Sequence, residues 1–199
     1  ARARFGVTGQ GPVLLSVRRL VSRMGLENLL AAIPAVRRQY PGLTVLIGGT
    51  GYLADSLRRQ TEEAGIADCV RLLGFVPEDD LAELYRAADL FVLPTLEMEG
   101  FGVVTLEAFA SGVPVVATPV GANPEVAGSL DPTMIAASTS AEDLAVAVRH
   151  GLDLAPRLRA RVRPHVEGAF SPAVVGERLE TLFAEVVRVD RSGPRVALP

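Results

Sequence analysis

The chain has 199 residues, 49% of them apolar, one cysteine and a formal charge of −3. Such a length and apolar content suffice for one substantial hydrophobic core, so a single domain is expected. The near-balanced charge gives no general attraction to nucleic acid, and no apolar run reaches the roughly 18 residues a membrane span requires. Cys69 has no partner for an internal disulfide and reads as a buried structural thiol in a reducing, cytoplasmic compartment. The first residue is alanine rather than methionine, so the lack of a leader says nothing about export.

Residues 1–12 are rich in small residues and glycine and read as a linker. A short apolar run over 13–17 predicts the first strand, and the spacing of Leu26, Leu29, Leu30, Ile33 and Val36 predicts a helix over 26–38. Pro34 falls late in that helix, where it either bends the axis or restarts it. The next strand covers 43–47 and stops at Gly48 and Gly49, and a helix over 52–64 ends at Gly65 as its C-terminal cap. A brief strand over 70–73 precedes an amphipathic helix over 78–87. Its acidic Glu78, Asp79 and Asp80 suit a first helical turn after Pro77. A strand over 90–93, a helix over 103–110 and a strand over 114–117 follow. Residues 123–126 suit a short helix, 134–136 a last strand, and 141–151 and 172–187 two further helices. Residues 189–199 mix charges with Gly and Pro and read as a tail.

Short, non-alternating strands separated by helices argue for a Rossmann-like α/β fold, an open parallel sheet with helices on both faces. Ligands of such sheets bind beyond the carboxyl ends of the strands. Arg18, Arg19 and Arg23 follow the first strand, Gly48 to Gly51 the second, Gly74 and Phe75 the third, and Glu99 to Gly102 the fourth. Four strand-end loops therefore converge on one crevice. Neither a phosphate-binding Gly-Lys-Ser/Thr ending nor the dinucleotide fingerprint is present. Instead, Glu99-Gly-Phe-Gly-Val-Val-Thr-Leu-Glu107 puts two carboxylates at the ends of a glycine loop that runs into a helix. Carboxylates accept hydrogen bonds from neighbouring hydroxyls, and free amides at a helix start attract an anion. The pattern suits a polyhydroxylated ligand that carries an anion.

The order of these pieces resembles a known family. Ser16-Val-Arg-Arg-Leu-Val-Ser-Arg-Met-Gly25, Leu46-Ile-Gly-Gly-Thr-Gly51, Leu73-Gly-Phe-Val76, Tyr85-Arg-Ala-Ala-Asp89 and the run over 94–125 are similar to the C-terminal, donor-binding domain of retaining GT-B glycosyltransferases of family 4, also called group 1. The resemblance is strong over 13–127 and weaker beyond. It implies a nucleotide diphosphate sugar as donor substrate and no resident cofactor; no metal is expected, since there is no Asp-x-Asp motif and positive side chains with a helix start can meet the diphosphate's charge. Arg19 would contact the diphosphate and balance the charge growing on the leaving phosphate. The family generally has lysine where Met24 stands, and Arg23 lies one residue away; a solvated basic turn is the other reading of Arg18 and Arg23. Glu99 would meet the transferred sugar or the reaction centre, and Glu107 the ribose hydroxyls. Gly100 and Gly102 would let backbone approach the ligand, and amides near Gly102, Val103 and Val104 would face phosphate. Phe101 reads as a packing anchor in preference to a stacking platform. Gly48 and Gly49 would turn the second strand sharply beside the nucleotide, and Phe75 with Val76 would pack on the base. Glu125 divides between ligand contact and holding its loop.

Other ionisable groups suggest less. His150 and His165 form no metal-ligand spacing, no Ser-His-Asp order occurs, and the basic stretch over 157–163 reads as a solvated face. The sequence thus predicts a nucleotide-sugar-binding domain over 13–188, catalysing retaining transfer through Arg19 and Glu99, and inactive alone for want of an N-terminal acceptor domain. A surface left by that partner would permit a homodimer. A noncatalytic nucleotide-binding or protein-interaction module and an epimerase-like domain are the alternatives.

Overall fold

A computed structural model describes the backbone of residues 1–192 and side chains as far as 187. Five strands form one parallel sheet: β1 (Val13–Val17), β2 (Thr44–Gly48), β3 (Val70–Gly74), β4 (Leu90–Leu93) and β5 (Val115–Ala117), in the order β3-β2-β1-β4-β5. Leu15 stands opposite Leu46 on one side and Phe91 on the other, and Val92 opposite Val116. All of β4 and β5 is buried, which explains why these strands read as continuous apolar runs without alternation.

Among the described residues there are seven α-helices: α1 (Leu26–Gln39), α2 (Ala54–Glu63), α3 (Glu78–Ala87), α4 (Val103–Ala110), α5 (Asn123–Val126), α6 (Ala141–Phe170) and α7 (Pro172–Ser192), the last packed on α6. Helix α1 continues through Pro34 as one element, with Leu26, Leu29, Leu30, Ile33 and Val36 buried. Ser140 caps α6 by accepting from the Asp143 amide at 3.1 Å. This helix covers 30 residues, about 45 Å at the usual rise, and takes in the whole basic stretch over 157–163. Gly151 permits its close approach to the sheet, since a Cβ there would lie 2.5 Å from Val116 Cγ2.

The expected strand over 134–136 does not form. Residues Pro132–Met134 make a 3-10 turn, with Asp131 accepting from the Thr133 amide, and only an isolated bridge between Ala117 and Ile135 extends the sheet. Residues 1–12 are tied down at several points: Arg4 pairs with Asp80 and Glu83, and Arg2 with Asp89. At the other end, residues 189–192 belong to α7, and 193–199 fall outside the described residues. Among the described residues, no helix is long and apolar enough to cross a membrane.

Leu30 is fully buried in the central core. Leu30→Ala leaves a cavity that the surrounding helices only partly close, so urea denaturation should show a loss of about 2–5 kcal/mol with little change in the denaturant slope.

Candidate functional site

The strand order reverses between β1 and β4, which are neighbours although β2 and β3 intervene in the chain. Adjacent loops diverge from such a point and leave a crevice. Backbone bonds knit the strand ends around it. The Arg18 amide donates to Gly48 O at 2.9 Å, Gly49 N to Gly74 O at 2.7 Å, Leu20 N to Thr50 O at 2.8 Å and Leu96 N to Arg23 O at 2.9 Å. Gly49 has φ +134°, and a Cβ there would fall 1.7 Å from Arg18 O, so glycine is required where β2 passes β1.

The glycine loop is held from two sides. Ala122 N donates to Glu99 O at 3.3 Å, and Arg23 Nη1 donates to Met98 O at 3.2 Å. Met98 itself has φ 54°, an uncommon conformation for a residue with a side chain, immediately before Glu99. Gly102 then opens α4 with φ 71°. Two fully buried oxygens beside it, Thr105 Oγ1 and Asn123 Oδ1, have no hydrogen-bond partner among the described residues, and both lie within 3.6 Å of where a Gly102 Cβ would be. The free amides at this helix start suit an anion.

Each glutamate meets a partner. Glu107, half-buried on α4, accepts from Tyr85 Oη at 2.7 Å. Burial, then this hydrogen bond, pushes the Tyr85 phenol far above its ordinary value, so it remains a donor throughout the neutral range. Glu99 Oε2 accepts from Arg18 Nη2 at 2.5 Å and from Thr95 Oγ1 at 2.9 Å, while Arg18 Nη1 also donates to Thr95 Oγ1. Only 5% of the Arg18 side chain and 11% of the Glu99 side chain are exposed. Burial draws the Arg18 guanidinium below its ordinary value, opposed by the bond to Glu99; a guanidinium still keeps its charge.

The remaining expected residues surround this centre. Arg19 is exposed and has no ion pair or side-chain hydrogen bond among the described residues. Phe75 (76% exposed), Phe101 and Val103 present apolar surface, and the half-buried Val76 packs toward the buried Gly48. Phe101 stacks edge-on against Phe170 with centroids 6.2 Å apart. Gly100 and Glu125 are exposed. Arg23 reaches Met98 O rather than either glutamate, and Met24 is buried. Elsewhere, His150 Nε2 lies 3.0 Å from Thr133 Oγ1, and His165 Nε2 lies 2.8 Å from Ser129 Oγ. Among the described residues no group of three or more His, Cys, Asp and Glu side chains could hold a metal.

The sequence assigns no role to Tyr85 or Thr95, and it places Arg18 at the crevice while leaving a solvated basic turn as the other reading. Tyr85 carried one available signal: Glu107, a carboxylate one helical turn inside α4, needs a donor if it is not fully solvated.

The fold and crevice define a Rossmann-like domain of the kind that makes up half of a GT-B enzyme. The family model "Glycosyl transferases group 1" matches residues 1–165, and the chain belongs to that family. A GDP-mannose-dependent alpha-(1-6)-phosphatidylinositol monomannoside mannosyltransferase of Mycobacterium tuberculosis is 37% identical over 123 residues, 59% of this chain and 32% of that protein. The monoacylated-substrate counterpart from Corynebacterium glutamicum is 33% identical over 191 residues, 92% of this chain and 49% of its own length. Among solved structures, Anabaena HepE in complex with UDP and glucose superposes with a TM-score of 0.77 at 21% identity, covering 92% of this chain and 51% of that one. The chain thus spans between about a third and a half of the length of these relatives.

Tyr85→Phe removes the donor to Glu107 with little change in volume. It should lower the unfolding free energy by about 1–2 kcal/mol in urea denaturation at neutral pH, and an unchanged midpoint would show that the bond contributes nothing.

Proposed function

We propose that this chain is the C-terminal, donor-binding half of a retaining glycosyltransferase, taking a sugar from a nucleotide diphosphate sugar to an acceptor held by an N-terminal Rossmann-like domain. The observation that carries the reading is the convergence at the β1–β4 switch point of an exposed arginine, two glutamates and a glycine-opened helix start. The relatives use GDP-mannose by name, and HepE was solved with UDP and glucose; the chemistry shared by all is a nucleoside diphosphate joined to a hexose.

Arg19 supplies the charge that meets the diphosphate, aided by the amides of Gly102, Val103 and Val104 at the start of α4. Arg23 lies at the rim of the same site. Glu107, oriented by Tyr85, accepts from the ribose hydroxyls, while Phe75 and Val76 pack on the base beside Gly48 and Gly49. Glu99 accepts from the transferred sugar, and Gly100 and Phe101 shape the loop around it. In transfer on one face of the sugar, the anomeric carbon–phosphate oxygen bond breaks as the acceptor oxygen bonds to the same carbon. The acceptor proton passes to the departing phosphate oxygen. Arg19 and the α4 amides then stabilise the developing negative charge, which is the step where fixed charge lowers the barrier most.

Residues 13–188 form the donor domain on this reading, with 1–12 as the junction to the acceptor half. The apolar residues Val175, Leu179, Leu182 and Phe183 are exposed on α7 and suit an acceptor-binding half or a second copy of this chain. A cytoplasmic setting fits Cys69, which is buried and donates to Ile66 O at 3.3 Å.

Calorimetric titration with UDP, GDP and ADP and their sugar conjugates tests the reading. One base series should bind, and Arg19→Ala combined with Glu107→Ala should weaken it at least about tenfold, the scale of a lost charge-assisted hydrogen bond. No binding by folded protein would sink a donor site contained in this chain. Light scattering across concentrations tests the dimer, which a monomer throughout would refute.

A further inference from the structure

The buried arrangement at Glu99 carries an assignment beyond the donor site itself. An ionised carboxylate offers two oxygens with about four acceptor positions. Oε2 of Glu99 uses its capacity on Arg18 Nη2 and Thr95 Oγ1, whereas Oε1 has no partner among the described residues. Thr95 is fully buried, and its carbonyl accepts from Thr118 Oγ1 at 2.6 Å, so its hydroxyl is presented from a fixed backbone. Arg18 closes the set by donating to both Thr95 and Glu99.

We propose that Arg18 and Thr95 are positioning residues that hold Glu99 through Oε2, leaving Oε1 as the acceptor for the donor's sugar. The assignment rests on the donor-site reading and divides labour between two adjacent arginines. Arg18 has both terminal nitrogens committed inward and is almost wholly buried, so it is not the free cation that a diphosphate meets. Arg19, exposed beside it, is. Removing Arg18 or the Thr95 hydroxyl should therefore spare recognition of the nucleoside diphosphate and remove the advantage conferred by the sugar. An unheld glutamate side chain must be ordered again each time the sugar binds, and this ordering subtracts from affinity.

The test is calorimetry with UDP against UDP-glucose and GDP against GDP-mannose, reading the ratio of the two dissociation constants for whichever base binds. Arg18→Met and Thr95→Val should lower the gain from the sugar about tenfold, with the bare nucleotide held within about twofold. Thr95→Ser, which keeps the hydroxyl, should restore the gain. Arg18→Met combined with Glu99→Gln should lose no more than Glu99→Gln alone, because both act through one contact. Should Arg18→Met fail to fold, the near-isosteric Thr95→Val and its serine counterpart decide the matter.

An equal loss of bare nucleotide and sugar conjugate in Arg18→Met would make Arg18 a diphosphate ligand and overturn the assignment. A full sugar gain in Thr95→Val would also overturn it. Wild-type binding of the nucleotide with no gain from the sugar overturns this assignment alone, whereas no binding of any probe overturns the donor-site reading with it.

Discussion

The adjacency of β1 and β4 is the constraint on which the rest of the crevice depends. The chain lays β2 and β3 to one side of β1, then returns across it to place β4 on the other. That reversal brings Arg18, the first residue after β1, against Glu99, which follows β4 by six residues. Two charges so well shielded from water demand close geometry, because desolvation opposes their burial unless hydrogen bonds answer it. Thr95 supplies the third member. The loop before α4 is thus fixed by a polar contact whose members come from both sides of the switch point, and its backbone by Arg23 and Ala122.

The same economy governs Glu107. It stands inside α4, an element whose own helical signal is short and apolar, yet its carboxylate is oriented by a tyrosine from α3. A buried phenol donor serves this purpose well: burial disfavours its ionised form, so it does not compete with the glutamate for protons. Behind the loop, Thr105 and Asn123 keep oxygens unsatisfied beside Gly102. Ser16, the fourth residue of β1, carries a third such buried oxygen.

Much of the framework was legible in the chain because buried parallel strands announce themselves as short apolar runs. Val13 to Val17, Leu90 to Leu93 and α4 were placed at their observed limits. The run at 134–136 misled for the same reason: Met134 and Ala136 are buried, but Pro132 and the Asp131 cap favour a turn over extended pairing. The second half of α6 contains Pro156 and Pro164, which local rules treat as stops; the buried Ala155, Leu158, Val162 and Val166 hold the helix through both. Within the crevice, sequence pattern marked the loop ends and the two glutamates, since glycines and helix starts leave a local signature. It could not mark Thr95 or the inward turn of Arg18. Which of two consecutive arginines faces inward depends on the strand beside it, 77 residues away for the Arg18–Thr95 contact, and no local rule carries that information.

The Arg18–Glu99 pair also limits how this domain can be rebuilt. Loops on α/β scaffolds are commonly regarded as exchangeable parts, each carrying its own share of selectivity. Here the segment after β4 is not self-contained, for its central carboxylate depends on a side chain contributed after β1. Transplanting residues 94–102 alone into another member of the family would separate Glu99 from its cation and leave a shielded negative charge without an answer. The unit that can be moved as a whole is therefore discontinuous, made of two short stretches that a graft would have to carry together.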